Sequence, residues 1–272
     1  MRTLLICHAG DTLNQVGLAR WLASFSEVAG IVVIRETRHR MWQRIRREIK
    51  RVGLVRFPDV LAFRLYYRFM HASRDGAWEQ QRVADLCNTY KELPASVPIV
   101  YTQSPNSTEV VEFIRNAAPD FMIARCKTLL KESVFSIPSR GTFVMHPGIC
   151  PEYRNAHGCF WALARGGYER VGMTLLRVNK GIDTGSVYGY YTYDFDELAD
   201  SHVRIQHRVV FDNLEALRQK FVEIYTGSAR MIDTASRSSA EWGQPWFSRY
   251  VLWKWRARKR KSGNESRIAA IS

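Results

Sequence analysis

The sequence predicts an α/β protein: an open, mostly parallel twisted sheet with helices on both faces. Three observations predict it. Short apolar runs rich in β-branched residues alternate along the chain with stretches of helical periodicity, and that alternation builds parallel sheets. With 272 residues, 46% hydrophobic and 12% aromatic, the chain has the material for a full core, as one large domain or one domain with an appendage. Polar and titratable residues (His8, Arg125 and His146) fall at the carboxyl ends of predicted strands, where ligands bind in sheets of this kind.

Residues 3–8 read as the first strand, followed by a loop at Gly10 and a helix over 13–22. Its apolar core is too short for a secretory leader and lacks a small-residue cleavage site. Residues 30–34 (GIVVI) form a second strand. Residues 38–91 then read as helical, with breaks near Gly53, Pro58 and Gly76. A third strand covers 98–102, and a capping box (Asn106 with Glu109) opens a helix to Asn116. Strands follow at 120–124, 141–146, 172–177 and 187–193, and a helix over 201–225 closes the globular part. The expected organisation is a catalytic domain over 1–225, with a basic helical insert at 38–91, and a C-terminal extension over 226–272 that ends in a solvated basic tail.

The segment 141–188 carries the chemistry. A His-Pro turn at His146-Pro147 precedes, by 37 residues, an aspartate in the turn Gly181-Ile182-Asp183-Thr184-Gly185, and a Pro-Glu-Tyr-Arg loop (151–154) lies between them. Histidine suits proton transfer near neutral pH, and a carboxylate within reach orients it. Separately, a His-Pro turn or an Asp-Thr-Gly turn is ordinary loop chemistry. Together, at this separation, they point to a site.

This pattern resembles the folate-dependent formyltransferases, which include the glycinamide ribonucleotide, methionyl-tRNA and sugar-amine enzymes. Their pattern runs Asn-x-His-Pro, then Pro-x-(Tyr/Phe)-(Arg/Lys)-Gly, then Gly-x-Asp-x-Gly. The likeness follows strand order over 1–225, but only 120–193 holds the specific motifs. It implies a formyltransferase-like Rossmann-type fold and 10-formyltetrahydrofolate as donor substrate. It also implies His146 as acid/base, Asp183 as its partner, and a folate ring lying against Arg125, Cys126, Lys127, Thr128, Leu129, Leu130 and Gly181. One residue departs: the family's asparagine is Val144 here. Residues two apart on a strand share a face, so an apolar side chain stands where a carbonyl-polarising amide is expected. Such a donor is worth about 10²–10³ in rate. Asn155, where the family has glycine, and His157 are candidate replacements, with plain loop roles as the alternative.

His146, Cys150, His157 and Cys159 match no common zinc-ligand spacing, so no metal is predicted. Five scattered cysteines suit a reduced, cytoplasmic setting. The resemblance does not name the acceptor. A C-terminal part too short for the β-barrel of the methionyl-tRNA enzymes argues for a small phosphorylated or nucleotide-linked amine, such as an amino sugar. Two other readings stay open: a member that binds a ligand or an anionic surface without turnover, and a hydrolase in which water replaces the amine.

The net charge of +14 is clustered, with seven Arg or Lys in 38–51 and six in 254–261. Aromatic and aliphatic residues interleave with these charges over 38–70 and 250–261. That pattern suits peripheral contact with an anionic membrane, a phosphate-rich substrate, or a helix packed on the core with its arginines in water. No motif for reading nucleic acid accompanies the charge, and no run of 18 apolar residues spans a membrane.

Overall fold

The computed structural model describes residues 1–269, and all of their side chains except those of Arg38, Arg40, Met41 and 263–269. β1 (Arg2–His8) leads through a π-helical turn (Leu13–Leu18) into α1 (Ala19–Ala23) and β2 (Glu27–Ile34). The insert is three helices: α2 (Arg38–Val52), α3 (Phe57–Met70) and α4 (Ala72–Thr89). Then follow β3 (Ile99–Thr102), α5 (Thr108–Ala117), β4 (Phe121–Arg125), α6 (Glu132–Phe135), β5 (Gly141–His146), β6 (Arg154–Asn155) and α7 (Gly158–Ala164). The chain continues through β7 (Met173–Arg177), β8 (Val187–Tyr191), α8 (His202–Phe211), α9 (Leu214–Thr226), β9 (Glu241–Trp242) and α10 (Phe247–Ala269).

Seven strands form one sheet in the order β3-β2-β1-β4-β5-β7-β8. Neighbours from β3 to β5 run parallel, and β7 and β8 join antiparallel. β1, β2 and β4 divide their side chains between two apolar layers. Leu5, Cys7, Ile123, Phe143 and Met145 pack with α1, α7, α8 and α9, whereas Leu4, Ile6, Val32 and Met122 pack with α5 and α6. Helices therefore cover both faces, as the alternation predicts.

Four expectations change in detail. The predicted break at Gly76 falls at His71 instead, and Gly76 lies inside α4. The helix expected over 201–225 is two helices that part at Asp212–Asn213. Asn106 caps nothing. Ser107 precedes α5 without a side-chain cap, while the Asn106 amide donates to Leu129 O (2.9 Å) and accepts from Lys131 N (2.8 Å).

The fourth change concerns the tail, which is not a solvated end over 247–262. α10 buries Tyr250, Trp253, Lys254 and Ala257, and β9 pairs with β6. A Trp indole and a Tyr ring buried against α3 and α7 hold the helix down, Lys254 is buried with its ammonium on Glu197 O and Asp200 O, and Arg258, Lys259 and Arg260 stay exposed.

Candidate active site

β5 carries His146 to the carboxyl end of the sheet. Phe143 and Met145 face the core, so Val144 and His146 face the other side; Val144 is half-buried and His146 is 5% exposed. The imidazole Nε2 donates to the Tyr153 carbonyl (2.8 Å), and Nδ1 faces Asp183 Oδ2 at 3.4 Å. The two site residues predicted 37 positions apart thus meet, with each ring nitrogen against an oxygen.

Two loops hold this pair. Asp183 adopts positive φ (50°), and its Oδ2 accepts the backbone N–H of Asn155 at 2.8 Å. Arg154 Nη1 donates to Ile182 O (2.8 Å), which joins the same loops a second time. The turn after His146 is packed without slack. A Cβ on Gly148 would stand 2.5 Å from Tyr153 O, 2.8 Å from His146 Nε2 and 3.0 Å from Gly158 Cα. Only a glycine at 148 lets the Tyr153 carbonyl reach the imidazole.

Asn155 enters the site through its backbone. Its side-chain amide turns to β9, donating to Trp242 O (2.6 Å) and Glu241 Oε1 (3.2 Å). Its φ of 76° lies in the left-handed region, which asparagine tolerates better than most residues. His157, also at positive φ, heads α7 and bonds Gln206 Nε2 through Nδ1 (3.3 Å). Burial, then the charges of Lys127 and Arg64, lowers its pKa to about 4, so it is a neutral ring at physiological pH.

The predicted ligand segment follows β4. Arg125 commits its guanidinium to Asn14 Oδ1 (3.0 Å) and Met145 O (2.5 Å), and Asn14 is itself held by Asp11 Oδ2 (2.7 Å). Lys127 N–H donates to His8 Nε2 at 2.9 Å, and Asn106 grips residues 129 and 131. The loop 126–131 is therefore pinned at both ends, with Leu129 outside at 61% exposure. Gly181 N–H bonds Asn179 Oδ1 (3.0 Å) and sits in the Asp183 loop. Burial, reinforced by Lys127 and Arg44, lowers the pKa of His8; burial and Arg44 likewise lower that of Lys127. Lys127 and Arg44 thus lie close enough to His8 to disfavour its charged form.

Cys150 lies beside Asp183, but burial and that carboxylate push its thiol up, and its amide bonds Thr174 Oγ1 (2.9 Å). Cys159 Sγ donates to Gly172 O. Among the described residues no group of three or more His, Cys, Asp or Glu is disposed to hold a metal. A cavity of about 900 Å³ lined by Arg2, Glu27, Tyr90 and Phe113 lies at the opposite, amino-terminal end of the sheet. His146, Asp183 and the loops that hold them do not line it, so it is separate from the site around His146.

A sequence model of the formyl transferase family matches residues 72–220, more than half of the chain. The chain belongs to this family. A methionyl-tRNA formyltransferase of Thermotoga maritima is 31% identical over 137 residues, which are 47% of this chain and 43% of that protein. The bifunctional polymyxin resistance protein ArnA of Wigglesworthia glossinidia brevipalpis is 25% identical over 144 residues, 53% of this chain and 22% of ArnA. The chain thus spans less than half the length of these curated relatives. Among solved structures it is similar to a sugar N-formyltransferase from Shewanella sp FDAARGOS_354, with TM-score 0.54 and 12% identity over 94% of this chain and 87% of that one. It is equally similar to a phosphoribosylglycinamide formyltransferase from Anaplasma phagocytophilum, with TM-score 0.54 and 13% identity over 90% and 99%. These structural likenesses show the fold alone.

Within the chain the matched span begins at the first residue of α4 and closes within α9. β1, α1, β2, α2 and α3 before it, and β9 and α10 after it, lie outside the match. Sequence reasoning found the His146–Asp183 pair but missed what surrounds it: the Tyr153 carbonyl, the Gly148–Gly158 contact and the Asn106 clasp. The signals were Gly148 and Gly158, which permit the close backbone approach, and Asn106, whose position just before a helix reads equally as a cap.

Proposed function

We propose that this formyl transferase moves the formyl group of 10-formyltetrahydrofolate to a primary amine on a small, phosphorylated or nucleotide-linked acceptor such as an amino sugar. The observation that carries the reading is the Asp183 carboxylate, 3.4 Å from His146 Nδ1 and fixed by the Asn155 N–H. The amine nitrogen attacks the formyl carbon and the bond from that carbon to the folate nitrogen breaks. The amine loses one proton and the departing nitrogen gains one. His146 mediates this exchange, and Asp183 stabilises the imidazolium that forms on the way. Both ring nitrogens face an oxygen, so a proton that passes through Nε2 requires its hydrogen bond to the Tyr153 carbonyl to break.

The donor lies against the backbone of 125–130 and the Gly181–Asp183 turn, both rigid before a ligand arrives. The charges of Lys127, Arg44 and Arg64, which lie near one another, suit an acceptor that carries phosphate. A domain over 1–225 with insert 38–91 remains our description of the catalytic unit, and the extension from 226 supplies β9 to its site. The structure offers no side-chain amide at Val144, and that of Asn155 is spent on β9. This favours, as a second reading, a member that holds the donor with little turnover.

Calorimetric titration with a stable formyl-folate analogue, followed by single-turnover assays with aminosugar nucleotides, tests both readings. Micromolar binding lost in His146→Ala, together with transfer, supports the first. Binding without transfer to any phosphorylated amine supports the second, and absence of binding removes both.

A further inference from the structure

The charge of this chain is concentrated on elements that the family match does not reach. Residues 38–70 hold ten Arg or Lys against Glu48 and Asp59, a balance of +8. Residues 247–262 hold seven and no acid, +7. Together these exceed by one the +14 of the whole chain, so everything else is close to neutral.

The two segments are neighbours. α3 packs on α10, Ser248 N–H donates to Asp59 Oδ1 (2.9 Å), His71 Nε2 bonds the Tyr250 hydroxyl (3.0 Å), and Phe63 stacks near Tyr250 at 5.4 Å. Each helix therefore has a face buried in this seam and another left without cover. The outer faces are not polar. On α3 and α10 Phe69 is 78% exposed, Met70 62%, Leu65 47%, Val251 49% and Trp255 49%, and Val55, in the turn between α2 and α3, is 93% exposed. Leu65 and Phe69 are four residues apart, as are Val251 and Trp255, so each pair shares one stripe of its helix. Lys259 Nζ lies 4.1 Å from the Trp255 ring, which puts cation and aromatic on the same surface.

We propose that the α3–α10 face, with the basic flank of α2, docks on an anionic phospholipid bilayer. Large apolar side chains ringed by arginine and lysine match both layers of such a surface. The rings and aliphatic chains enter the acyl boundary, and the cations meet the phosphates. A second copy docked face to face is disfavoured by charge, since the exposed cations of both copies would oppose one another. A nucleic acid would satisfy the cations and stack on Phe69 and Trp255, but it leaves Val55, Leu65 and Val251 in water. This inference goes beyond the formyl-transfer reading and does not depend on it.

Flotation of the full chain with vesicles tests it. Vesicles with about 30 mol% anionic phospholipid at about 0.15 M salt should carry the protein at least tenfold better than zwitterionic vesicles. Phe69→Glu/Trp255→Glu should cut that binding at least tenfold, with an unchanged melting temperature and unchanged binding of the formyl-folate analogue. Arg46→Gln/Arg47→Gln should weaken it by about fivefold for each charge removed. Brominated acyl chains should quench the tryptophan fluorescence of the wild-type protein, a readout that survives if a variant fails to fold. Four results would overturn the docking: no preference for anionic lipid, full binding by the Phe69/Trp255 variant, no bromine quenching, or loss of vesicle binding to equimolar tRNA phosphate.

Discussion

Replacing Asp183 by asparagine tests the site at its centre, because the change removes a charge and leaves a shape. The carboxylate oxygen stands 3.4 Å from His146 Nδ1, with 6% and 15% of the two side chains exposed. At an effective dielectric near 20, two unit charges at this separation attract by about 5 kcal/mol. That figure is an upper bound on what Asp183 gives an imidazolium formed during proton transfer. Water penetration and the remaining neighbours reduce it, and a loss of about 3–4 kcal/mol corresponds to a fall of about 10²–10³ in kcat. The Asn155 N–H still finds an oxygen in the amide, so the loop should keep its conformation and the protein its melting temperature. Single-turnover transfer, measured beside analogue binding, separates the two contributions: kcat should fall while the analogue still binds. Activity within about threefold of wild type would mean that no charge develops on His146, and the proton would have to travel by another route.

Asn155 gives a sharper test of positioning. Asn155→Ala must hold positive φ without the amide anchors to β9, and should lose more than tenfold in turnover; Asn155→Gly keeps the backbone N–H and relieves the strain, so it should recover most of that loss. Equal defects in the two variants would instead make the amide itself a catalytic group. Gly148→Ala forces a Cβ against Tyr153 O and His146 Nε2 and should cost about 1–3 kcal/mol of stability in chemical denaturation, with loss of transfer; an unchanged midpoint would mean the turn has slack. Burial holds His157 and His207 to pKa values of about 4 and pushes His202 down as well. The unfolded chain then takes up these protons first, so stability should be full above about pH 6.5 and fall as pH drops toward 4. A denaturation midpoint that is flat across that window would contradict their burial as neutral rings.

Much of the fold was legible because its strands are short, apolar and punctuated. β5 falls where the sequence puts it, and β4 is displaced by one residue. The breaks in the insert were only partly legible. Gly53 and Pro58 end and begin helices by backbone rules that hold locally, whereas Gly76 is tolerated inside α4. There neighbouring Asp75 is buried against Ser201 and bonds Tyr67 Oη (3.0 Å), contacts that no window of sequence reveals. α10 was hidden for the same reason. Its basic, aromatic sequence reads as a tail until α3 and α7 provide somewhere for Tyr250 and Trp253 to go.

The site divides along the same line. His146 and Asp183 were visible because chemistry restricts which side chains do proton work, and restricted choices leave motifs. The groups that fix them are mostly backbone: the Tyr153 carbonyl, the Asn155 N–H and the Ile182 carbonyl that Arg154 holds. Backbone atoms carry no signature, since any residue supplies them. What the sequence does register is the permission for that backbone to come close, namely glycine at 148 and 158 and asparagine at 155. Val144 follows from this argument too. If polarisation of the formyl carbonyl is delivered by backbone donors near 126–130 or 183–185, a valine at 144 costs the site less than the loss of an amide elsewhere. Val144→Asn should then raise turnover by less than about tenfold. A gain near 10²–10³ would show instead that the site runs without a donor it was built to use.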